Sequence, residues 1–242
     1  MKNSVYSVER YLFETQHACG RYTLVMGNQK LEKRFGTKNK TPKSVRSNYN
    51  VAPTQQMPVI TNHGEGNEIE IMGWGFRPVW ASDVSSAYKF FNARAETLAE
   101  KPMWKKAFAS KRCLVPASGF YEWHKDGKEK TPYYIHLKDQ PIFAFAGLYD
   151  SWTDKQTGEV HKSYTIITTN PNGLMKPIHD RMPVILEPSQ ENDWVNPKAN
   201  DDVGFLENLL KPFNAKDMDA YTVSSEVNSA KHNSPELIKQ AG

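Results

Sequence analysis

Two of the 242 residues are cysteines, and their surroundings differ. Cys113 lies in the apolar run Cys113-Leu114-Val115-Pro116 and reads as a core residue, the ordinary fate of a lone cysteine. Cys19 is followed by Gly20, which leaves backbone room, and by Arg21, a cation that would favour a thiolate. Cys19 is therefore the candidate nucleophile. Three further segments have the residue types to move protons or hold anions. In Gly119-Phe120-Tyr121-Glu122-Trp123, strand alternation places Phe120, Glu122 and His124 on one face. Aromatic neighbours there would desolvate the carboxylate and raise its pKa toward acid/base use, although an exposed glutamate at a strand end is the plainer reading. Ile178-His179-Asp180-Arg181-Met182-Pro183 sets an imidazole beside a carboxylate and a guanidinium just before an apolar strand. Asn92-Ala93-Arg94-Ala95-Glu96 offers an amide, a guanidinium and a carboxylate at alternate positions, which serves equally as an ion-paired helix start.

The elements that must position these groups read mostly as strands: Met57 to Thr61, the Ile69/Ile71 alternation, Cys113 to Ala117, Tyr133 to Leu137, Ile142 to Gly147, Tyr164 to Thr168, Pro183 to Leu186 and Tyr221 to Val223. Lys125-Asp126-Gly127-Lys128 and Asp154 to Gly158 supply the positive φ that tight reversals need, so antiparallel pairing follows. Helical periodicity covers Trp104 to Ala109, Ser189 to Val195 and Val203 to Leu210, where Phe205, Leu206, Leu209 and Leu210 share a face. The basic, polar stretch Lys38 to Asn50 reads as a surface loop.

Hydrophobic residues make up 38% of the chain and aromatics 12%, enough for a sizeable core, and no internal repeat or domain boundary is visible. The net charge of +4 permits a polyanionic partner without demanding one. Two cysteines make a disulfide framework implausible and favour a reducing cytosol or nucleus. The longest apolar stretch, Pro141 to Tyr149, falls well short of the ~20 residues of a membrane helix. Ala18 before Cys19 invites a lipoprotein-signal reading, but Glu9, Arg10, Glu14 and Gln16 interrupt it, so export is rejected. No C-x-x-C, H-E-x-x-H or glycine-rich nucleotide loop occurs, so the expectation is chemistry without metal or cofactor, and no membrane.

Six motifs stand in order: Cys19-Gly20-Arg21-Tyr22, Tyr49-Asn50-Val51-Ala52-Pro53-Thr54, Trp74-Gly75-Phe76-Arg77-Pro78, Asn92 to Glu96, Gly119 to Trp123 and His179 to Pro183. Together, from Cys19 to about Ile238, they resemble the SOS-response-associated peptidase family, also called abasic-site processing proteins. The resemblance implies an α+β fold, β-rich, with a mostly antiparallel sheet or barrel-like core flanked by helices. It implies a monomer of the cytoplasm, nucleoid or nucleus that acts in DNA damage and repair on abasic sites in single-stranded DNA. The implied chemistry is covalent: the amine of an N-terminal cysteine condenses with the sugar aldehyde, and the thiol closes a thiazolidine, with lyase activity as a possible accompaniment. By the same resemblance Cys19 is the nucleophile, Glu122 shuttles protons, His179 helps open the sugar and Asn92 orients it. Arg21, Arg94 and Arg181 would clamp phosphates; Trp80, Trp123 and Pro53 would stack on bases or wedge them apart. Apart from the resemblance, Lys101, Lys105 and Lys106 would extend the basic groove, and a solvated helix face explains them as well.

Family members carry this cysteine directly after the initiator methionine, whereas here positions 2 to 18 intervene. While Ala18 acylates Cys19, the nitrogen is an amide and forms no Schiff base. Residues 1–18 thus read as an N-terminal extension or propeptide and 19–242 as a single domain of the family's type. Self-processing by the Cys19 thiol would free the amine. Two other readings compete: a thiol peptidase acting on itself or other proteins, and a single-strand DNA-binding module whose cysteine stays blocked.

Overall fold

In the computed structural model, which describes residues 19–27, 29–81 and 90–242, strands dominate. In chain order they are β1 (Arg21–Leu24), β2 (Asn48–Val51), β3 (Gln56–Asn62), β4 (Asn67–Trp74), β5 (Asn92–Arg94), β6 (Arg112–Ala117), β7 (Gly119–Asp126), β8 (Glu129–Leu137), β9 (Phe143–Thr153), β10 (Val160–Thr169), β11 (Met182–Pro183), β12 (Ile185–Leu186) and β13 (Met218–Thr222). Among the described residues there are four α-helices: α1 (Leu31–Phe35), α2 (Pro102–Ser110), α3 (Pro188–Val195) and α4 (Val203–Leu209). The expected α+β, β-rich architecture is what the chain adopts.

One sheet runs β13-β8-β7-β1-β2, and all its pairings are antiparallel. Its hairpin β7–β8 closes through Gly127 and Lys128, with Asp126 opposite Glu129 and Gly127 at φ 57°, where a side chain would be strained. In the second sheet, β10, β4, β3, β6 and β9 pair in a ring, a closed five-stranded barrel, with β5, β11 and β12 added at its rim. Pairing here is not wholly antiparallel: β10 runs parallel to both β4 and β5. Every residue of β6 is buried, as is β9 from Phe143 to Asp150, because one face lines the barrel and the other is covered. Gly147 lies where a Cβ would come 2.9 Å from Cys113 Sγ and 3.0 Å from Thr165 O, so only glycine lets β6, β9 and β10 close at that point.

The expected helices form, with α2 burying Trp104, Ala107 and Phe108 and α3 burying Trp194 against Phe108. Buried Arg112 ties their C-terminal ends together by donating to Phe108 O, Trp194 O, Asn196 O and Asn200 Oδ1 at 2.7–3.0 Å. Three expectations need correction. Phe205 is 39% exposed and leaves the shared face to Leu206, Leu209 and Leu210. Ile71 is also exposed, beside Arg46 and Pro58, because β4 changes the face it buries between Ile69 and Met72. The polar stretch ending at Asn50 is not all loop: Asn48–Val51 is the edge strand β2, polar because Tyr49 and Asn50 meet the 227–233 segment rather than an apolar layer.

Candidate active site

Strand β1 lies between β2 and β7, with Arg21 opposite Tyr121 and Tyr22 opposite Phe120. That register carries the two residues before β1 alongside Glu122 and Trp123. Cys19 is 3% exposed and holds φ 57°, a conformation costly for a residue with a Cβ. Its backbone N–H donates a short hydrogen bond to Glu122 Oε1, and its thiol also meets that carboxylate. Behind it, a Cβ on Gly20 would sit 3.8 Å from the Phe91 ring, so the turn rests on the entry to β5.

Glu122 is 2% exposed. The expected desolvation is realised, and the plainer reading of an exposed strand end is not. Burial holds its carboxyl above the usual carboxylate range, opposed by the nearby His179 and by the hydrogen bonds from Cys19. Its second oxygen, Oε2, lies 4.0 Å from His179 Nε2. On the other side of that ring, Nδ1 accepts the Arg181 backbone N–H at 3.1 Å and lies 3.0 Å from Oδ1 of exposed Asp180. Nε2 is thus the ring nitrogen that faces Glu122, while Nδ1 faces the Arg181 N–H and the Asp180 carboxylate.

The Cys19 thiol corrects one expectation. Burial first, and the Glu122 charge second, push its pKa well above the ordinary thiol value, with only a smaller opposing pull from Arg181. Arg21 does not supply the anticipated cation, because its guanidinium is turned away to Asn50 Oδ1 (3.0 Å), Val227 O (2.8 Å) and Asn228 O (3.2 Å). With its pKa raised in this way the thiol is not a standing thiolate, and the neighbouring Glu122 carboxylate is the group placed to take its proton.

Asn92 and Arg94 reach the site because β5 pairs with the end of β10, Ile166 opposite Asn92 and Thr168 opposite Arg94. The same end of β10 pairs with β11, which brings in the His179–Arg181 corner. Arg181 forks onto Glu96 at 2.7 and 2.9 Å and also donates to Thr168 O at 2.7 Å. Arg94 is exposed. The structure thus places Cys19 at one oxygen of Glu122 and His179 4.0 Å from the other, with Arg181 next along the His179 corner and Asn92 and Arg94 on β5 beside the same end of β10.

The aromatic candidates divide. Trp80 is 65% exposed on a fixed support: Val79 N donates to Asp150 Oδ2 at 3.0 Å, and Trp152 Nε1 to Ala81 O at 2.8 Å. Trp123 is half-buried, with its Nε1 donating to Asn228 Oδ1 at 2.7 Å. Pro53 departs from expectation: it is buried in the turn between β2 and β3 and offers no open face. Lys101, Lys105 and Lys106 are exposed at α2. Sequence reasoning missed Asn50, whose amide donates to Ser229 O and His232 O at 3.0 and 2.9 Å and so helps hold the segment that orients Trp123. Its only signal was its place in the Tyr49-to-Thr54 motif.

The family profile described as SOS response associated peptidase (SRAP) matches residues 18–230. The chain belongs to that family. Among SRAP relatives, the abasic site processing protein YoqW of Bacillus subtilis is 48% identical over 223 residues, 91% of this chain and 99% of that one. The abasic site processing protein HMCES of Xenopus tropicalis is 32% identical, over 78% of this chain and 65% of its own. A crystal structure from Bacteroides thetaiotaomicron superposes with a TM-score of 0.79 at 34% identity, over 92% of this chain and all of that one. The SRAP match begins one residue before Cys19; residues 1–18 lie outside the described structure.

Proposed function

We propose that the chain processes abasic sites in single-stranded DNA and does so by covalent capture at Cys19. The observation that carries this reading is the clamping of the Cys19 nitrogen and thiol onto one buried carboxylate, with an imidazole at its other oxygen. The relatives named as abasic site processing proteins support the substrate.

Two reactions follow at the same atoms. In the first, the Cys19 thiol adds to the Ala18 carbonyl and its proton passes to Glu122. The Cys19 nitrogen then leaves with that proton, and water hydrolyses the thioester to release residues 1–18 with a free thiol and amine. In the second, His179 gives a proton to the ring oxygen of the abasic sugar as the C1′–O4′ bond breaks and the C1′ hydroxyl loses its proton to water, giving the open aldehyde. The Cys19 amine condenses with it and expels water, and the thiol adds to the imine carbon while the nitrogen takes up the thiol proton, closing the thiazolidine. Glu122 carries the proton in both. Asn92 orients the opened sugar, Arg94 and Arg181 face the phosphates, and Trp80 and Trp123 stack on unpaired bases. Lyase activity belongs to the imine stage, where the sugar C2′ proton is acidified.

The test incubates the purified chain, and a chain beginning at Cys19, with single-stranded DNA carrying one abasic site, followed by denaturing gels and intact mass. The reading expects loss of residues 1–18 and an adduct that survives heating, both absent in Cys19→Ser. If neither chain forms an adduct, capture is refuted and a peptidase or a binding module takes its place.

A further inference from the structure

Beside the Cys19 site, and outside every role assigned above, is a cleft of about 460 Å3 walled by His124, Tyr133, Leu174, Pro177 and Ile178. Its volume is that of a small-ligand site, roughly 300–1,000 Å3. Two walls are continuous with the catalytic groups. Tyr133 stands directly opposite Glu122 in the β7–β8 ladder, on the same sheet face, and His124 follows Glu122 by one strand repeat, about 6.8 Å. Ile178 adjoins His179 in the chain. A nucleotide covalently joined to a sugar held at Cys19 therefore has this half-buried cleft along the same strand face as Glu122.

The cleft chemistry is that of a base. Tyr133 is half-buried, packed on the core, and presents an aromatic wall, while Leu174, Pro177 and Ile178 supply an apolar one. The His124 ring is oriented: Nδ1 lies 2.7 Å from Pro177 O, and a carbonyl only accepts, so Nδ1 carries the hydrogen. A neutral His124 then has Nε2 as an acceptor. Every nucleobase carries at least one N–H on its pairing edge, so a Tyr133 stack with one acceptor serves any base in an unpaired strand, whose face is open to the stack, and disfavours a base still stacked within a duplex.

We propose that this cleft is a nucleobase subsite, holding the unpaired base next to the abasic sugar through stacking on Tyr133 and a hydrogen bond to His124 Nε2. The proposal rests on the DNA reading of the Cys19 site.

The test measures equilibrium binding of the full chain, by fluorescence anisotropy, to single-stranded oligonucleotides carrying a central tetrahydrofuran, an abasic analogue with no aldehyde to react. In two further oligonucleotides the neighbouring nucleotide, on the 5′ or the 3′ side, also lacks its base. The expected result is a loss of affinity of about 5- to 150-fold when one of these two bases is removed, and a smaller loss for the other. In His124→Ala and Tyr133→Leu the fully based oligonucleotide should bind more weakly and the sensitive side should lose its effect. Tyr133→Leu keeps apolar packing, and His124→Ala alters a half-exposed side chain, so at least one variant reports on a folded protein. Equal sensitivity in wild type and both variants, or indifference to both neighbouring bases, overturns the subsite while leaving DNA binding intact. Failure to bind any of the oligonucleotides overturns the subsite and the DNA reading together.

Discussion

Replacing Glu122 with glutamine should abolish capture and at the same time stabilise the protein at neutral pH. Glu122 is almost completely buried, accepts the Cys19 N–H and faces an imidazole 4.0 Å away. An ion taken from water into such a place keeps an effective penalty of several kcal/mol, and charge-assisted hydrogen bonds return about 1.5–3 kcal/mol, leaving a net cost of about 1–3 kcal/mol. Glutamine keeps an acceptor for the Cys19 N–H and carries no charge. At ~2–4 °C per kcal/mol for a chain of this size, Tm should rise by about 2–12 °C at pH 8. The sign follows from the direction of the shift. A carboxyl raised in the folded state adds most to stability when protonated in both states, below its unfolded pKa of about 4.3, and loses that contribution as pH rises through the folded value. The advantage of glutamine should therefore be present at pH 8 and vanish near pH 4. Differential scanning calorimetry of both proteins across that range reads it directly. A glutamine variant less stable than wild type at pH 8, or an advantage independent of pH, would refute the argument that burial dominates at Glu122.

Arg21→Lys should lower stability by about 1–3 kcal/mol through lost contacts to the 227–228 carbonyls, yet leave the salt dependence of DNA binding unchanged; Arg94→Ala should reduce that salt slope by about one. Denaturation curves and a salt titration separate the two. Trp80→Ala should weaken binding of undamaged single strands by about 1–3 kcal/mol with no change in Tm, because its exposed ring supports no core. Gly119→Ala would place a Cβ 2.4 Å from the Tyr134 ring, which is held by Thr23, and should cost about 1–3 kcal/mol in chemical denaturation.

Much of the site was legible because its chemistry depends on local patterns. Strand alternation put Glu122 on the face of Phe120, and that face is buried there because Phe120 packs on Phe145 of β9 in the core. The His179 corner was visible from composition alone. What sequence did not reveal were partners distant along the chain. Arg21 reads as a cation beside Cys19 until the carbonyls of Val227 and Asn228, some two hundred residues away, claim it. Pro53 reads as a surface wedge until β2 and β3 fold over it. Parallel pairing of β10 with β4 and β5 has no local signature, since it depends on ring closure rather than on any turn.

The bonds from Arg21 and Asn50 to the Val227–His232 carbonyls set an order of events during synthesis. The residues flanking Cys19 emerge from the ribosome first, but the loop that fixes their strands and turns Trp123 emerges last, after β10 has closed the barrel. Contacts of such long sequence separation form slowly and only once the chain is nearly complete. A nascent chain therefore carries Cys19 before its surroundings are complete, and the candidate site is finished only as a late step of folding.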